Sequence, residues 1–585
     1  MSDPSQSEED VYATETYQHN LTIAFIRPTT QGEPHPDRIP VIRDLHQWCI
    51  SLGMSHHTWA LAVTYLDLYL TSPTDDLRLV ASACLLTSHK LTHSMTVHVD
   101  DIVRQIGHQY HRSQIVEQEL KLLQTLNYQL HWPTIIDFLD YYQLRLHLPS
   151  EQSHQIEVMT ESTLFETTLL SYHPALVGMA CVLLVSPNSP NLTHWTLGDL
   201  VLVQQAIIKG KEVHIQTQGE RRPPSIEGGT SFLSRIPFFD QLPTTWQRIG
   251  LGSYSEIYGV TEWDSTSPGG TQSPLNKLFT KVLTKPGLVA AKRPPDPFLP
   301  RQGTRSAPST PDGGTQSLVP FPKESPLMAV KKYTDLIDDQ YGISDDCVKE
   351  LSVLRRLTSP YLIQVLAVGV IDHHCYLAME LGQIDLFQEI IDWSVDHRPF
   401  DPVLVHQYTV EILRGVSYLH RIGLVHCDLK TSNVIIGQDH HLKLIDFGIA
   451  QWKRLPYEIQ THEIYTIGYR SVEHLLGDDC ARPSSDLWAV GCLVAELVGR
   501  HPLFPDYEHP LDNIFQMLGD PRLNGWPGVT QFIDDQLLNT YHFNDQAPFP
   551  YPQADSWVNQ VIIQTLQYSP NQRTPARILL EDEKK

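Results

Sequence analysis

An ordered series of glycine, lysine, carboxylate and amide residues in the second half of the chain limits the possible folds more than any other feature. Its members, in chain order, are Gly250, Gly252, Lys331, Glu350, Asp428, Asn433 and Asp446. Lys331 ends a short strand-like pattern that starts at Met328, and Glu350 begins a helical pattern. Each residue type is common in turns, caps and loops, but the whole series in this order indicates a single site.

These residues supply the parts that phosphoryl transfer from a nucleotide requires. Glycines let the backbone approach phosphates closely, a lysine pairs with the phosphates, and a glutamate fixes that lysine. Asp428 would orient a hydroxyl and accept its proton, while Asn433 and Asp446 would bind magnesium. The sequence therefore predicts ATP and Mg²⁺ as cofactors and Asp428, Lys331 and Glu350 as catalytic residues.

A second lysine competes with Lys331 for the strand position. Residues 264–325 are dense in Ser, Thr, Pro and Gly, and the composition predicts a disordered insert. Within the insert the phrase G-G-T-Q-S occurs twice, and each copy is followed by an apolar phrase that ends in lysine, one at Lys292. Lys331 is favoured because it precedes Glu350 by 19 residues, whereas Lys292 precedes it by 58.

Composition excludes several classes of protein. The 585 residues carry a formal net charge of −24, which argues against a general nucleic-acid or anionic-membrane binder. The eight cysteines show no metal-ligand spacing and indicate reduced thiols. The longest apolar run, 175–185, is too short to span a bilayer, and the acidic N-terminus is unlike a signal peptide. We expect an intracellular protein of the nucleus, the cytoplasm or both, with no nucleic-acid or membrane partner.

Changes in pattern along the chain predict its domains. Residues 1–37 are predicted to be a loose N-terminal segment, and the pattern is helical almost throughout from about 38 to 210. A polar stretch rich in Pro and Gly predicts a linker over 211–240, followed by the domain that carries the glycine-rich turn, 241–585.

Residues 244–585 resemble a protein kinase of the cyclin-dependent group. The resemblance rests on T-H-E-I-Y-T-I-G-Y-R-S-V-E-H-L-L-G (461–477), on D-N-I-F-Q-M-L-G-D-P (512–521) and on G-I-S-D-D-C-V-K-E (342–350), which occupies the cyclin-reading helix. It implies a bilobal α+β fold, a buried brace between Glu473 and Arg573, and a catalytic Lys430 that indicates Ser/Thr specificity. It also implies a nucleotide site formed by Gly250, Gly252, Ile257, Ala329, Lys331, the gatekeeper Met379, the hinge Glu380, Leu381 and Gly382, and Asp385 facing the ribose.

The helical half resembles a cyclin, in W-A-L-A-V-T-Y-L-D-L-Y-L (59–70), L-R-L-V-A-S-A-C-L-L-T-S-H-K (77–90) and E-L-K-L-L-Q-T-L-N-Y-Q-L (119–130). It implies an all-α cyclin box over 38–133 and a second, weaker cyclin-like repeat over 134–210. Lys90 and Glu119 fall near the family's kinase-contacting positions, with His89 as an alternative to Lys90. Three apolar side chains, Val41, Leu45 and Trp48, form either a substrate-docking patch or, the favoured reading, a core stripe.

Regulatory positions follow from the same resemblance. Ser253 and Tyr254 lie where the family carries inhibitory phosphates, and Thr461 stands at its activating phosphorylation site. The family cages that phosphate with three arginines, but the matching positions here are Lys349, Cys427 and Gln451.

Substrate preference follows from it as well. Arg470 matches an arginine that shapes a pocket for proline after the target residue. Tyr465 and Gly468 depart from the family there, so we expect a weaker preference for Ser/Thr-Pro.

The sequence thus predicts a multidomain protein in which a cyclin activates its kinase in cis. We expect it to phosphorylate protein Ser/Thr in cell-cycle or transcription control. The alternative is a catalytically weak pseudokinase scaffold whose cyclin half engages other kinases. Departures from the family at Ser255, Cys427 and Val472 leave that alternative open.

Overall fold

The computed structural model describes most of both halves of the chain. The described residues are 14–18, 37–69, 76–92, 97–165, 169–170, 172–193, 195–209, 246–252, 255–260, 328–337, 340–371, 373–398, 401–452, 465–478, 480–543 and 550–584. The linker 211–240 and the insert 264–325 lie outside them, as do Ser253, Tyr254, Lys292 and Thr461.

Helices make up the N-terminal half. The first group is α1 (Arg38–Ser51), α2 (His56–Tyr69), α3 (Leu77–Thr92), α4 (Val99–Gln105) and α5 (Arg112–Thr125). Helices α2 and α3 approach closely because small side chains lie between them, and Ala62, Ala81 and Ala83 have no exposed surface. Val41, Leu45 and Trp48 are buried in the same core, so they form a core stripe and not an exposed patch.

A second helical group follows and has its own core. It consists of α6 (Ile135–Leu146), α7 (Ser150–Thr163), α8 (Pro174–Val185) and α9 (Leu197–Lys209). Thr134 starts α6 with a capping box, in which the Asp137 carboxylate accepts from the Thr134 backbone N–H at 2.7 Å. The long apolar run of the sequence is α8, which is buried on nearly all sides by its neighbours.

The predicted loose N-terminal segment is packed over part of its length, which corrects the expectation for residues 1–37. Residues 14–18 are helical, and Tyr17 is buried against the second helical group, stacked on Tyr141 at 4.0 Å between ring centroids. Its hydroxyl lies 3.3 Å from that of Tyr142. The residues next to Tyr17 in the sequence are polar, so the local pattern does not predict its contact with Tyr142, 125 positions away.

The C-terminal half is built on small antiparallel sheets. The five-stranded sheet has the order β1-β2-β3-β5-β4, with a three-stranded sheet β6-β8-β9 and a two-stranded ladder β10-β7. The strands are β1 (Trp246–Gly252), β2 (Ser255–Val260), β3 (Met328–Leu336), β4 (Val365–Ile371), β5 (His374–Met379), β6 (Gly382–Asp385), β7 (Leu424–Val425), β8 (Val434–Gly437), β9 (Leu442–Leu444) and β10 (Gln451–Trp452).

Helices of this half pack beside and below those sheets. They are α10 (Asp345–Leu354), α11 (Leu386–Val395), α12 (Pro402–Arg421), α13 (Val472–Leu475), α14 (Pro483–Gly499), α15 (Pro510–Leu518), α16 (Asp535–Leu538), α17 (Ser556–Thr565) and α18 (Ala576–Asp582). The Asp401 carboxylate caps α12 by accepting from the N–H groups of Val403 and Leu404. Helices α12 and α14 form the buried centre of the lower lobe.

The predicted fold class is confirmed: a helical region precedes a two-lobed unit of small sheets and helices. Within the described part of the chain, no helix has the length and apolar character needed to cross a membrane.

Candidate active site

A buried ion pair joins β3 to helix α10. Lys331 Nζ donates to both carboxylate oxygens of Glu350 at 2.8 Å, and Tyr333 donates its hydroxyl to Glu350 at 2.6 Å. Burial lowers the pKa of Lys331, but the negative charges of Glu350 and Asp446 outweigh burial and the net shift is upward. Lys331 therefore stays charged and aligned toward the cleft between the lobes.

Asp428 is held as an ionised acceptor at the base of that cleft. Its two carboxylate oxygens accept from Lys430 Nζ at 2.7 Å and from the Thr466 hydroxyl at 2.8 Å. Asn433 Nδ2 donates to the same carboxylate at 2.9 Å. Burial raises the pKa of Asp428, but the Lys430 hydrogen bond and charge exceed that effect and leave the pKa lowered. A carboxylate in this state can orient a hydroxyl group.

The loop that carries Asp428 is fixed from below by Asp486, on α14. Asp486 accepts from the backbone N–H groups of His426 and Cys427 at 2.9 and 3.1 Å, and its side chain has no exposed surface. Cys427 sits at φ +66°, in the left-handed region, and its carbonyl accepts from the Tyr465 N–H at 3.0 Å. The loop is thereby held in a conformation that a free chain seldom adopts.

The strand register places the glycine-rich strands β1 and β2 beside the lysine strand β3 in one sheet. Ile257 pairs with Gly250 on one side and with Lys331 on the other, and Ala329 pairs with Met379. Strands β1 and β2 belong to the same sheet as β3, which carries Lys331, although the insert separates them from β3 in sequence.

The predicted hinge connects the sheet to the lower lobe. The Glu380 N–H donates to the Gln364 carbonyl at 3.0 Å, and the Glu380 carboxylate accepts from the Gln364 N–H at 2.8 Å. The same carboxylate lies 3.3 Å from Lys443 Nζ. A Cβ on Gly382 would lie 2.8 Å from the side chain of Ile435, so glycine is needed for this approach. Leu381 follows Glu380 in the same connection, with its carbonyl accepting from Gln438.

Asp385, which the resemblance places at the ribose, is the N-cap residue of α11. Its Oδ1 accepts from the Gln388 N–H at 2.8 Å, so one carboxylate oxygen is used as a helix cap at the mouth of the cleft.

The side chains at the base of the cleft fit a magnesium nucleotide. Mg²⁺ prefers oxygen ligands, and half-exposed Asp446 and buried Asn433 both offer them. Asn433 directs its Nδ2 at Asp428, which leaves its Oδ1 as the acceptor oriented away from that carboxylate. Asp446 has φ +62° and accepts from Lys331 Nζ at 3.5 Å, while Phe447 is fully buried beside His426.

The Glu473–Arg573 brace predicted from the resemblance is a bidentate pair, with distances of 2.6 and 2.7 Å. Burial alone would raise the pKa of Glu473, but the guanidinium charge of Arg573 lowers it well below its usual range. The pair ties the short helix α13 to the C-terminal end of the lower lobe.

Lys90 and Glu119 contact the C-terminal half of the chain just before α10. Lys90 Nζ lies 2.6 Å from Glu119 and donates to the Ile343 carbonyl at 2.7 Å, while Glu119 accepts from the Ile343 N–H at 3.2 Å. Both side chains are buried. Gly342, at φ +75°, passes directly over the pair, and a Cβ there would lie 2.4 Å from the Glu119 carboxylate. His89, the alternative to Lys90, is buried in the same helix.

The N-terminal half also contacts α10 at the C-terminal end of that helix. Arg355 Nε donates to the Asn127 carbonyl at 3.0 Å, and Arg356 donates to the His131 carbonyl. Before the helix, the Val99 N–H donates to the Gln340 carbonyl at 2.9 Å. The N-terminal half thus holds α10 at both ends.

Sequence reasoning left several residues of this site unassigned. Thr466 lies within the quoted motif 461–477, but its contact to Asp428 depends on the fold, as does the contact of Asp486 to the loop that carries Asp428. Ile435 and Tyr333 carry no signal beyond an apolar or aromatic strand position. Gly342 was part of the quoted helix motif, yet its importance appears only when Glu119 is placed against it.

Two regions match known protein families. Residues 321–583 match the protein kinase domain family, and residues 12–131 match the N-terminal domain family of cyclins. The first match begins after the glycine-rich hairpin, which the structure nevertheless joins to the kinase sheet. The second includes Tyr17, in agreement with its packed position.

Proposed function

We propose, from the premise that the chain is a cyclin domain fused to a protein kinase domain, that it is a serine/threonine kinase of the cyclin-dependent group activated in cis. One observation carries the proposal. Lys90 and Glu119 bind the backbone of Ile343 at the start of the helix whose Glu350 pairs with Lys331. The contact that the cyclin half makes and the ion pair that aligns Lys331 therefore involve the same helix, α10.

The proposed reaction uses the chain's own groups for positioning and proton transfer. Asp428 orients the substrate hydroxyl and takes its proton, and Lys430 neutralises the charge at that carboxylate. Lys331 binds the nucleotide phosphates. Magnesium, held by Asn433 and Asp446, would neutralise charge on the transferred phosphoryl group.

Selection of Ser/Thr is the finer part of the proposal. Lys430 Nζ bridges Asp428 and Thr466, at 2.7 and 3.0 Å, on the surface where the target residue must lie. We expect these contacts at Asp428 to favour a hydroxyl on a short side chain over a phenol.

A preference for proline after the target residue is supported by the backbone at Tyr465. This residue has φ +67°, and its carbonyl accepts from Arg470 Nε at 3.1 Å and Nη2 at 2.9 Å. A carbonyl used in this way is not offered to a substrate N–H, and leaving a desolvated N–H unpaired costs about 1–3 kcal/mol. Proline has no N–H and avoids that cost.

The family's tryptophan position is filled differently here. Gly468 leaves space that the Tyr507 ring takes, since a Cβ at Gly468 would lie 2.6 Å from that ring. Tyr507 is half exposed. We retain the expectation of a weaker proline preference, because the Tyr507 ring comes from a separate loop, whereas the family's tryptophan is part of the pocket.

Phosphoregulation at Ser253, Tyr254 and Thr461 remains a proposal for residues outside the described ranges. A phosphate on Tyr254 adds about −1.5 to −2 charges beside ATP and would repel its phosphates. The domain limits 38–133, 134–210, 211–240 and 241–585 are proposed on the same footing.

The scaffold alternative is disfavoured by the same interface. Glu119 and Lys90, which a cyclin half would need for other kinases, are buried by the chain's own Ile343 and Gly342. The paired Lys331 and Glu350 and the ionised Asp428 are arranged for transfer.

The test compares phosphate transfer from ATP to serine, threonine and tyrosine peptides by wild type and by Asp428→Asn. Asp396→Asn, which alters an exposed carboxylate, is the matched control. We expect transfer to Ser/Thr by wild type and the control, and none by Asp428→Asn. Equal residual rates for wild type and Asp428→Asn would support the scaffold instead.

A further inference from the structure

Three side chains from distant parts of the sequence meet where the cyclin half faces the start of the activation segment, the stretch that begins at Asp446. The His131 and Trp452 rings are stacked, with centroids 4.0 Å apart and planes inclined by 7°. The Arg356 guanidinium lies 5.6 Å from the centroid of the Trp452 ring. Arg356 also donates to the carbonyl of His131, which closes the group.

Arg356 is desolvated at this junction. Burial lowers the pKa of its guanidinium to about 10, so the group remains charged at neutral pH while having lost most of its water. A carbonyl acceptor and an aromatic face are the two partners that compensate a buried guanidinium. Ring stacking shifts an equilibrium by roughly two- to tenfold, and a desolvated cation–π contact by up to about thirtyfold.

Trp452 is linked closely to the proposed magnesium ligand. Gln451 and Trp452 pair with Val425 and Leu424, directly before the loop that carries Asp428. Between Asp446 and Trp452 the chain makes a tight turn, in which the Ala450 N–H donates to the Phe447 carbonyl at 3.1 Å. Asp446 itself sits at φ +62°, a conformation that persists only where its surroundings fix it. A fixed Trp452 therefore restrains the short stretch on which the Asp446 conformation depends.

We propose that Trp452 is a positioning residue for the kinase reaction, clamped by His131 of the cyclin half and by Arg356. The clamp anchors the start of the activation segment directly to the cyclin, in a chain whose phosphate-caging positions are Lys349, Cys427 and Gln451. Cys427 is fully buried with its Sγ directed to the Val425 carbonyl, and Gln451 is neutral, so neither supplies a guanidinium. The clamp, which rests on the proposed kinase function, makes the active arrangement depend on aromatic contact between the two halves.

The first test measures kcat and KM on the full chain for Trp452→Ala, Trp452→Phe, His131→Ala and His131→Phe. His154→Ala is the matched control, since His154 is an exposed histidine of the same helical half. We expect the two alanine variants to lose about fivefold in kcat with KM for ATP and peptide nearly unchanged, in line with the value of such contacts. The phenylalanine variants should retain most of kcat, because a ring remains to stack. The double variant Trp452→Ala/His131→Ala should be no worse than either single variant.

Full kcat in Trp452→Ala, or losses that multiply in the double variant, would overturn the clamp. The second test follows amide hydrogen exchange of residues 442–452 in the full chain and needs no catalytic activity. Exchange should be faster in Trp452→Ala and His131→Ala and unchanged in His154→Ala. An inactive wild type in which these exchange differences persist would refute the proposed function alone, and unchanged exchange in both alanine variants would refute the clamp.

Discussion

Removing the Glu119 carboxylate should disconnect the cyclin from helix α10. In Glu119→Ala, Lys90 remains buried, at 1% exposed, and retains its hydrogen bond to the Ile343 carbonyl. The Ile343 N–H loses the carboxylate that accepts from it. Breaking a buried ion pair from one side costs about 3–5 kcal/mol. Taking the low end because water can enter the gap, docking weakens by about two orders of magnitude. The tether offsets part of the loss, since a short linker supplies an effective concentration of about millimolar.

The assay is the initial rate of peptide phosphorylation at saturating ATP, with no added cyclin. We expect Glu119→Ala to lose at least about tenfold, a change of about 1.4 kcal/mol. Glu117→Ala, an exposed glutamate on the same helix, should behave as wild type. The double variant Lys90→Met/Glu119→Leu should recover only part of the rate, because the Ile343 backbone groups still lack partners. A Glu119→Ala enzyme with wild-type rate would refute the link between this contact and catalysis.

Three further predictions address phosphorylation, specificity and stability. Thr461→Ala and phosphatase-treated wild type should stay within about tenfold of the untreated rate, because the three positions that cage the phosphate in the family hold Lys349, Cys427 and Gln451 here; a larger loss of initial rate would show that phosphate still orders the segment. Replacing proline by alanine after the target serine should lower kcat/KM by about tenfold, within the range for one unpaired N–H, and equal values for the two peptides would contradict the role of the Tyr465 carbonyl. Glu473→Gln should lower the urea midpoint at neutral pH. Because the folded pKa of Glu473 is depressed, its contribution to the free energy of unfolding is complete above the unfolded pKa of about 4.3 and is lost as pH falls through the folded value. The difference in urea midpoint between wild type and Glu473→Gln should therefore become smaller in acid. A difference that stays constant with pH would contradict the pKa shift.

The sequence predicted the two domains and the order of the active-site groups, because both depend on local motifs and spacing. Lys331 was preferred to Lys292 from its distance to Glu350, and the two side chains do lie 2.8 Å apart. Contacts between the halves were harder to predict. The need for glycine at 342 arises from Glu119, which lies in the other domain, and the Trp452 stack requires His131 to face it.

The N-terminal segment shows the limit of composition. Its polar residues predict a loose chain, but one tyrosine, Tyr17, finds three aromatic neighbours in the second helical group: Phe138, Tyr141 and Tyr142. A single buried aromatic side chain can outweigh the polar character of its surroundings when the partner surface is already formed.

The central claim is that the chain's own cyclin half activates its kinase half within one molecule. The most direct measurement is the initial rate per mole of full-length chain across a wide dilution series, with Asp428→Asn as the blank and without any added cyclin. An intramolecular contact is independent of protein concentration, so we predict a constant rate per mole, well above the blank. A rate per mole that falls on dilution, or that appears only when a separate cyclin is added, would contradict activation in cis.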